Sequence, residues 1–369
     1  MKIVIHAGAY KTATSGLQIY LQSRRDFMLS SYGILYPRAG SRRNFGALNK
    51  DSVAHNLLFH ISKSSAQNLE DAARRRRLEE IGDQLCQEVA ESGAESVLVS
   101  AEKLSLTSES EKRRFLRVFE RLRNPEFWIV YSLRHFADFV ESMANQSLKN
   151  PLKRKAADAV WMDGTAMLRD VRHWRRLVGP ERLTTLYFDP ADHAGFCEEM
   201  LRTLGCDGRL AAELEGVRDN TSASLNNIRV SRLLARIIEA RELELDRHTR
   251  NVILESLSKL ELTWEIRKKA VTLPQQTAIE LSNLFASMRD EIAGYLTPPS
   301  LRRLEADLNR RANRVPPVSN VDHPVTLSDN DVLELVLFTH RIPELRALIV
   351  EFLGRLADER KRPRRSRHQ

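Results

Sequence analysis

Residues 3–18 read Ile3-Val4-Ile5-His6-Ala7-Gly8-Ala9-Tyr10-Lys11-Thr12-Ala13-Thr14-Ser15-Gly16-Leu17-Gln18, and their reading decides the fold. A short β-branched strand, Ile3 to Ile5, runs into a turn of small residues. One lysine and three hydroxyls follow, and then Leu17, Tyr20, Leu21, Arg24 and Met28 recur at helical spacing. All but Arg24, whose stem can snorkel, are apolar. A strand, a turn and a helix start bring backbone N–H groups, a helix N-terminus and one cation to the same place, which suits a phosphate. The plainer alternative is a strand–turn–helix with a capping threonine. A Walker A loop is excluded by spacing. That motif needs glycines six and one residues before its lysine, where this chain has Ile5 and Tyr10.

Working outward, candidate strands at 2–6, 34–36, 96–100, 127–133 and 183–187 alternate with helical stretches. Such alternation predicts a parallel sheet with helices on both faces. Phe127 to Leu133 is a buried-strand pattern, and Arg134 ends it, where an open α/β sheet binds ligands. In the helix that follows, Phe136, Val140 and Met143 share one side, and Asp138, Glu141, Ser142 and Asn145 the other. Arg134 and Ser142 can therefore share an anion, the planar guanidinium suiting phosphate. Read plainly, they are a surface arginine and an exposed serine.

These stretches resemble two motifs of the sulfotransferases that use 3′-phosphoadenylyl sulfate (PAPS). Residues 10–15 are similar to the Pro-Lys-x-Gly-Thr-Thr loop that holds the 5′-phosphosulfate. Arg134 and Ser142 are similar to the arginine, with a serine eight positions later, that holds the 3′-phosphate. The phrasing Tyr-Ser-Leu-Arg through Ser-Met-Ala-Asn-Gln resembles the bacterial sulfotransferase-like proteins more than the animal cytosolic ones. The strand end Val97 to Glu102, Trp174 with Gly179, Leu204-Gly205 and Asn220-Thr221-Ser222 agree, so the resemblance extends over roughly residues 1–300. Tyr10 stands where the family has proline and Ala13 where it has glycine. Alanine is strained there if that position needs φ > 0 and harmless if it is helical.

The resemblance implies a P-loop-NTPase-like α/β fold and sulfuryl transfer from PAPS to a hydroxyl or amine of a polar acceptor, a carbohydrate included. The released product is 3′-phosphoadenosine 5′-phosphate (PAP). Lys11 would meet the charge on the bridging oxygen, with Thr12, Ala13, Thr14, Ser15 and Gly16 lining the phosphosulfate, and Arg134 and Ser142 would hold the 3′-phosphate. No metal is implied. The acceptor needs a general base. Glu102, after the strand at 96–99, is the first candidate, and it reads equally as a helix-start carboxylate. His55, in a helical-looking stretch from Val53 to Phe59, is the second. His6 ends the first strand, to contact nucleotide or to fill the core. Two other readings stay open: a non-catalytic nucleotide-binding protein on this fold, and a P-loop kinase or NTPase.

The 369 residues suffice for a large α/β domain with an appendage. The expected division is a nucleotide-binding core at 1–222, a helical region packed on it at 223–312, a proline-containing linker at 313–327, a helical extension at 328–358 and a basic disordered tail at 359–369. A net charge of +9 suits an anionic substrate without naming it. No apolar run has membrane-spanning length, and Met1-Lys2 leads straight into a strand, so a cytoplasmic protein is expected. Cys86, Cys197 and Cys206 have no zinc spacing and read as free thiols. Nucleic acid is not an expected partner, and the sequence leaves the oligomeric state open, a homodimer included.

Overall fold

The computed structural model describes residues 1–9, 12, 14–43, 53–55, 70–148, 163–207, 214, 273–312, 314–317, 350 and 354. Its strands are β1 (Lys2–His6), β2 (Ile34–Leu35), β3 (Arg42–Arg43), β4 (Val53–Ala54), β5 (Ser96–Ser100), β6 (Glu126–Leu133) and β7 (Leu183–Tyr187). Its described helices are α1 (Thr14–Ser23), α2 (Arg25–Tyr32), α3 (Glu70–Ser92), α4 (Glu109–Arg117), α5 (Phe136–Leu148), α6 (Ala166–Val178), α7 (His193–Thr203), α8 (Gln275–Ser287), α9 (Arg289–Ala293) and α10 (Pro298–Ala312). No described helix is long and apolar enough to cross a membrane.

The chain forms an α/β fold around five parallel strands in the order β2-β5-β1-β6-β7. β1 lies at the centre, and Ile3 and Ile5 are wholly buried. Burial on both faces is why β1, β5 and β6 each carry a run of consecutive apolar residues, Ile3–Ile5, Val97–Val99 and Phe127–Tyr131, instead of a strict alternation. Register aligns His6 with Ser100 of β5 and with Val130 of β6. β6 then continues three residues further, to Leu133. From β1 the chain passes to β2 on one flank, returns through β5, and crosses to β6 on the other. The connection therefore reverses direction at β1, and a doubly wound sheet binds ligands outside the carboxyl ends of the strands at such a point.

One long helix was expected from Leu17 to Met28, and the structure breaks it at Arg24, which caps α2 with φ −109° and ψ 12°. Leu17, Tyr20, Leu21 and Met28 are still buried together, with Arg24 left exposed. Gly33 ends α2 at φ 64°, a conformation that costs glycine little, and turns the chain into β2.

The chain divides into two compact units. The first contains Met1–Phe139, Asp163–Asn220 and Ile279–Val315, and the second Val140–Met162, Thr221–Ala278 and Pro316–Gln369. This differs from the sequence-based division at 222, because residues 279–315 belong with the sheet. Polar contacts from α10 explain it. Ser300 Oγ accepts the Tyr187 N–H at 2.9 Å, Tyr187 Oη donates to Asp307 at 2.6 Å, and buried Arg303 bonds Glu199 and Asp192. In the second unit, Glu141 accepts hydrogen bonds from Leu273 N (2.8 Å) and Asn145 Nδ2 (3.0 Å). Asn145 is buried there rather than solvated. The expected extension and tail at 328–369 lie outside the described residues apart from Val350 and Gly354.

Candidate functional site

The chain leaving β1 continues along β6. Ala7 N donates to Val130 O at 3.0 Å, and Ala9 N to Ser132 O at 3.4 Å. On the other side Ala101 N donates to His6 O at 3.0 Å. Backbone hydrogen bonds thus tie the loop after β1 to the carboxyl ends of β5 and β6, and it passes two residues from Arg134. Lys11 and Ala13 lie outside the described residues, as does Tyr10.

The hydroxyls of this loop make internal bonds. Thr12 Oγ1 donates to Ala9 O at 2.7 Å. Thr14 Oγ1 donates to a Glu102 carboxylate oxygen. Glu102 opens a short 3-10 turn, Glu102–Leu104, after β5. Its carboxylate therefore sits at the start of α1, whose N-terminal partial positive charge favours an anion. Glu102 thus begins a short turn, as the helix-start reading has it, and its carboxylate accepts the Thr14 hydroxyl of the neighbouring strand's loop. Ser15 and Gly16 are half-buried in the first turn of α1.

Beneath the loop lies a buried relay centred on Ser100. Gln18 Nε2 donates to Ser100 Oγ at 3.2 Å, and the hydroxyl lies 3.0 Å from His6 Nδ1. With the serine proton given to Nδ1, the His6 ring carries its own proton on Nε2. Nothing among the described residues hydrogen-bonds that nitrogen. A Cβ at Gly8 would lie 2.7 Å from it, so glycine is what lets the loop rest on the ring. Burial pushes His6 down to about 4.

His55 is not in a helix. Val53–Ala54 pairs antiparallel with Arg42–Arg43, and His55 occupies the turn that follows, wholly buried. Its Nδ1 accepts the Ser100 N–H at 3.2 Å and its Nε2 lies 2.8 Å from Pro37 O. Burial lowers it to about 4. Both nitrogens are committed to backbone, so His55 fastens the chain to β5 instead of lining an acceptor cleft.

Arg134 follows β6 directly and is buried, its guanidinium 5.4 Å from the Phe188 ring centroid. Burial lowers its pKa. Asp138 is 3.8 Å away, one helical turn along. Ser142 is half-buried on the same helix, in the second unit. Near the start of α1, Thr12, Gly16 and Leu17 share a small open cavity with His193, Phe196, Cys197 and Met200 of α7. Sequence reading missed this cavity because α7 has no motif of its own. Its i, i+3, i+4 pattern was the available signal.

Among the described residues, no group of three or more His, Cys, Asp or Glu could hold a metal ion. In comparisons with known proteins, no protein-family model, no curated protein and no solved structure matched the chain.

Proposed function

We propose that this protein binds a 3′-phosphorylated adenine nucleotide, PAPS, and transfers its sulfuryl group to a hydroxyl or amine of a polar acceptor such as a carbohydrate. One observation carries the reading: the loop after β1 and the Arg134 end of β6 are hydrogen-bonded together at the switch point of a parallel sheet. A helix N-terminus and a planar cation then serve one ligand with two anionic ends.

In the reaction the acceptor oxygen or nitrogen attacks sulfur, the bond from sulfur to the phosphate oxygen breaks, and PAP leaves. Glu102 takes the acceptor proton, and Lys11 neutralises charge on the leaving oxygen. Arg134 distinguishes PAPS from its 3′-dephospho analogue. The Thr14–Glu102 pair favours a second reading, because P-loop NTPases hold Mg²⁺ with a loop hydroxyl and a carboxylate.

Calorimetric titration with PAP, AMP and ATP, each without and with Mg²⁺, separates the two. Metal-independent selectivity for PAP is the expected result. Preference for Mg-ATP establishes the second reading, and no binding at all refutes both.

A further inference from the structure

Asp138 stands between two arginines. Arg311, on α10, grips it in two places, Nη2 to Oδ2 at 2.6 Å and Nη1 to Oδ1 at 3.3 Å. Arg134 approaches the same carboxylate only to 3.8 Å. Arg311 is itself fixed. Its Nε donates to Asp307 at 2.9 Å, and Asp307 also receives the Tyr187 hydroxyl at 2.6 Å. Tyr187 ends β7, and β7 pairs with β6 in register through Leu133. The chain of contacts therefore runs from the sheet, through α10, to the carboxylate beside Arg134. Burial favours the neutral form of Asp138, yet the Arg311 and Arg134 charges hold its pKa below the ordinary carboxylate range. The group is an anion at neutral pH and competes with any ligand anion for the nearest guanidinium.

We propose that Arg311 is a positioning residue for the nucleotide site: by engaging Asp138 bidentately it keeps that carboxylate from pairing tightly with Arg134, so that Arg134 can bind the ligand's 3′-phosphate. A forked arginine–carboxylate pair is well suited to this, since two parallel N–H···O bonds fix the carboxylate plane. The assignment rests on the nucleotide-binding reading above. Without Arg311, the cation left beside Asp138 is Arg134, and the competition reverses.

The test is calorimetric titration of PAP and AMP into the full chain and three variants, with thermal unfolding measured alongside. Arg311→Gln is expected to weaken PAP binding about tenfold, the size of one charge-assisted contact, and AMP binding less than about twofold. Asp138→Asn alone is expected to bind PAP at least as well as the parent. Adding Asp138→Asn to Arg311→Gln is expected to recover PAP affinity to within about threefold of the parent. This double variant lacks the same Asp307 contact as the single one, so its recovery separates electrostatic positioning from structural support. If Arg311→Gln unfolds, Arg311→Lys with and without Asp138→Asn gives the same comparison, since a lysine cannot grip both oxygens. An unchanged PAP affinity in the Arg311 variants, or equal losses on PAP and AMP without rescue, overturns this role and leaves nucleotide binding standing. A parent protein that does not prefer PAP to AMP overturns both.

Discussion

Asp170→Ala should be among the most damaging single substitutions in this chain, and its effect should depend on Lys112. Lys112 Nζ lies 2.6 Å from Asp170 Oδ1, with the two side chains 0% and 2% exposed. Burial is the dominant influence on both, raising Asp170 and lowering Lys112. The pair is therefore expected to stabilise little as a unit, and breaking it should be costly. Asp170 also accepts the Leu106 N–H at 2.6 Å and the Tyr131 hydroxyl at 3.1 Å. Leu106 has φ 64°, a strained conformation for leucine, and it follows the turn that carries Glu102.

Removing the carboxylate leaves a buried ammonium with the neutral oxygens of Thr107 in place of a counter-charge, at about 3–5 kcal/mol, and leaves the Leu106 N–H without its acceptor, at about 1 kcal/mol more. A loss of about 5 kcal/mol compares with the whole stability of an ordinary domain, about 5–15 kcal/mol. Asp170→Asn keeps the volume and should cost about 3 kcal/mol. Lys112→Met removes the other charge and should also cost about 3 kcal/mol, since the carboxylate keeps two donors. The double variant Lys112→Met/Asp170→Ala should lose about 5 kcal/mol instead of the additive 8, a coupling of about 3 kcal/mol. Urea unfolding, followed by the fluorescence of Trp174, whose ring lies 5.5 Å from Lys112 Nζ, measures all four. Additivity within about 0.5 kcal/mol, or a loss below about 1 kcal/mol for Asp170→Ala, would refute the argument.

Three further outcomes are expected. His6, His55 and His135 stay neutral in the fold down to about pH 4 because burial disfavours the charged ring, whereas the unfolded chain protonates them near 6.5. The unfolded state then binds more protons, so stability is complete above about pH 6.5 and falls towards pH 4, by about 1.4 kcal/mol per pH unit for each histidine. His55→Gln should make that slope shallower, and a flat urea midpoint across the window would contradict the burial argument. Gly8→Ala pushes a Cβ against His6 Nε2 and should destabilise by about 1–3 kcal/mol. It should also weaken PAP binding in calorimetry, and unchanged values on both counts would show that the loop does not rest on the ring. Arg134→Ala should weaken PAP binding about tenfold or more, with little change for AMP, because a charge-assisted contact is lost. Equal losses on both ligands would remove the 3′-phosphate from Arg134.

The sheet was legible because its central strands are buried on both faces. Ile3 to Ile5, Val97 to Val99 and Ile129 to Tyr131 are apolar without interruption, and the longer expected strands agree with the structure to within a residue. The positions of Arg134 and Glu102 followed from that, since Arg134 comes directly after β6 and Glu102 two residues after the end of β5. What escaped was set by distant partners. Two-residue strands such as Val53–Ala54 have no period to read, so His55 was expected in a helix. Lys112 sits in a helix rich in charge, and nothing nearby in sequence announces that Asp170, 58 residues later, buries it. The grip of Arg311 on Asp138 spans 173 residues and leaves no local trace.

The pairing of β1 has a consequence in time. Its partners are β5, beginning at Ser96, and β6, beginning at Glu126. At a synthesis rate of about 5–20 residues per second, the first strand waits on the order of ten seconds before both neighbours exist. Until β5 is made this apolar strand has two open edges, and until β6 is made it keeps one. The strand before the Thr12–Thr14 loop is thus made well before its second neighbour and is among the last secured. Slowed translation should therefore aggregate this protein more readily than its native stability would suggest.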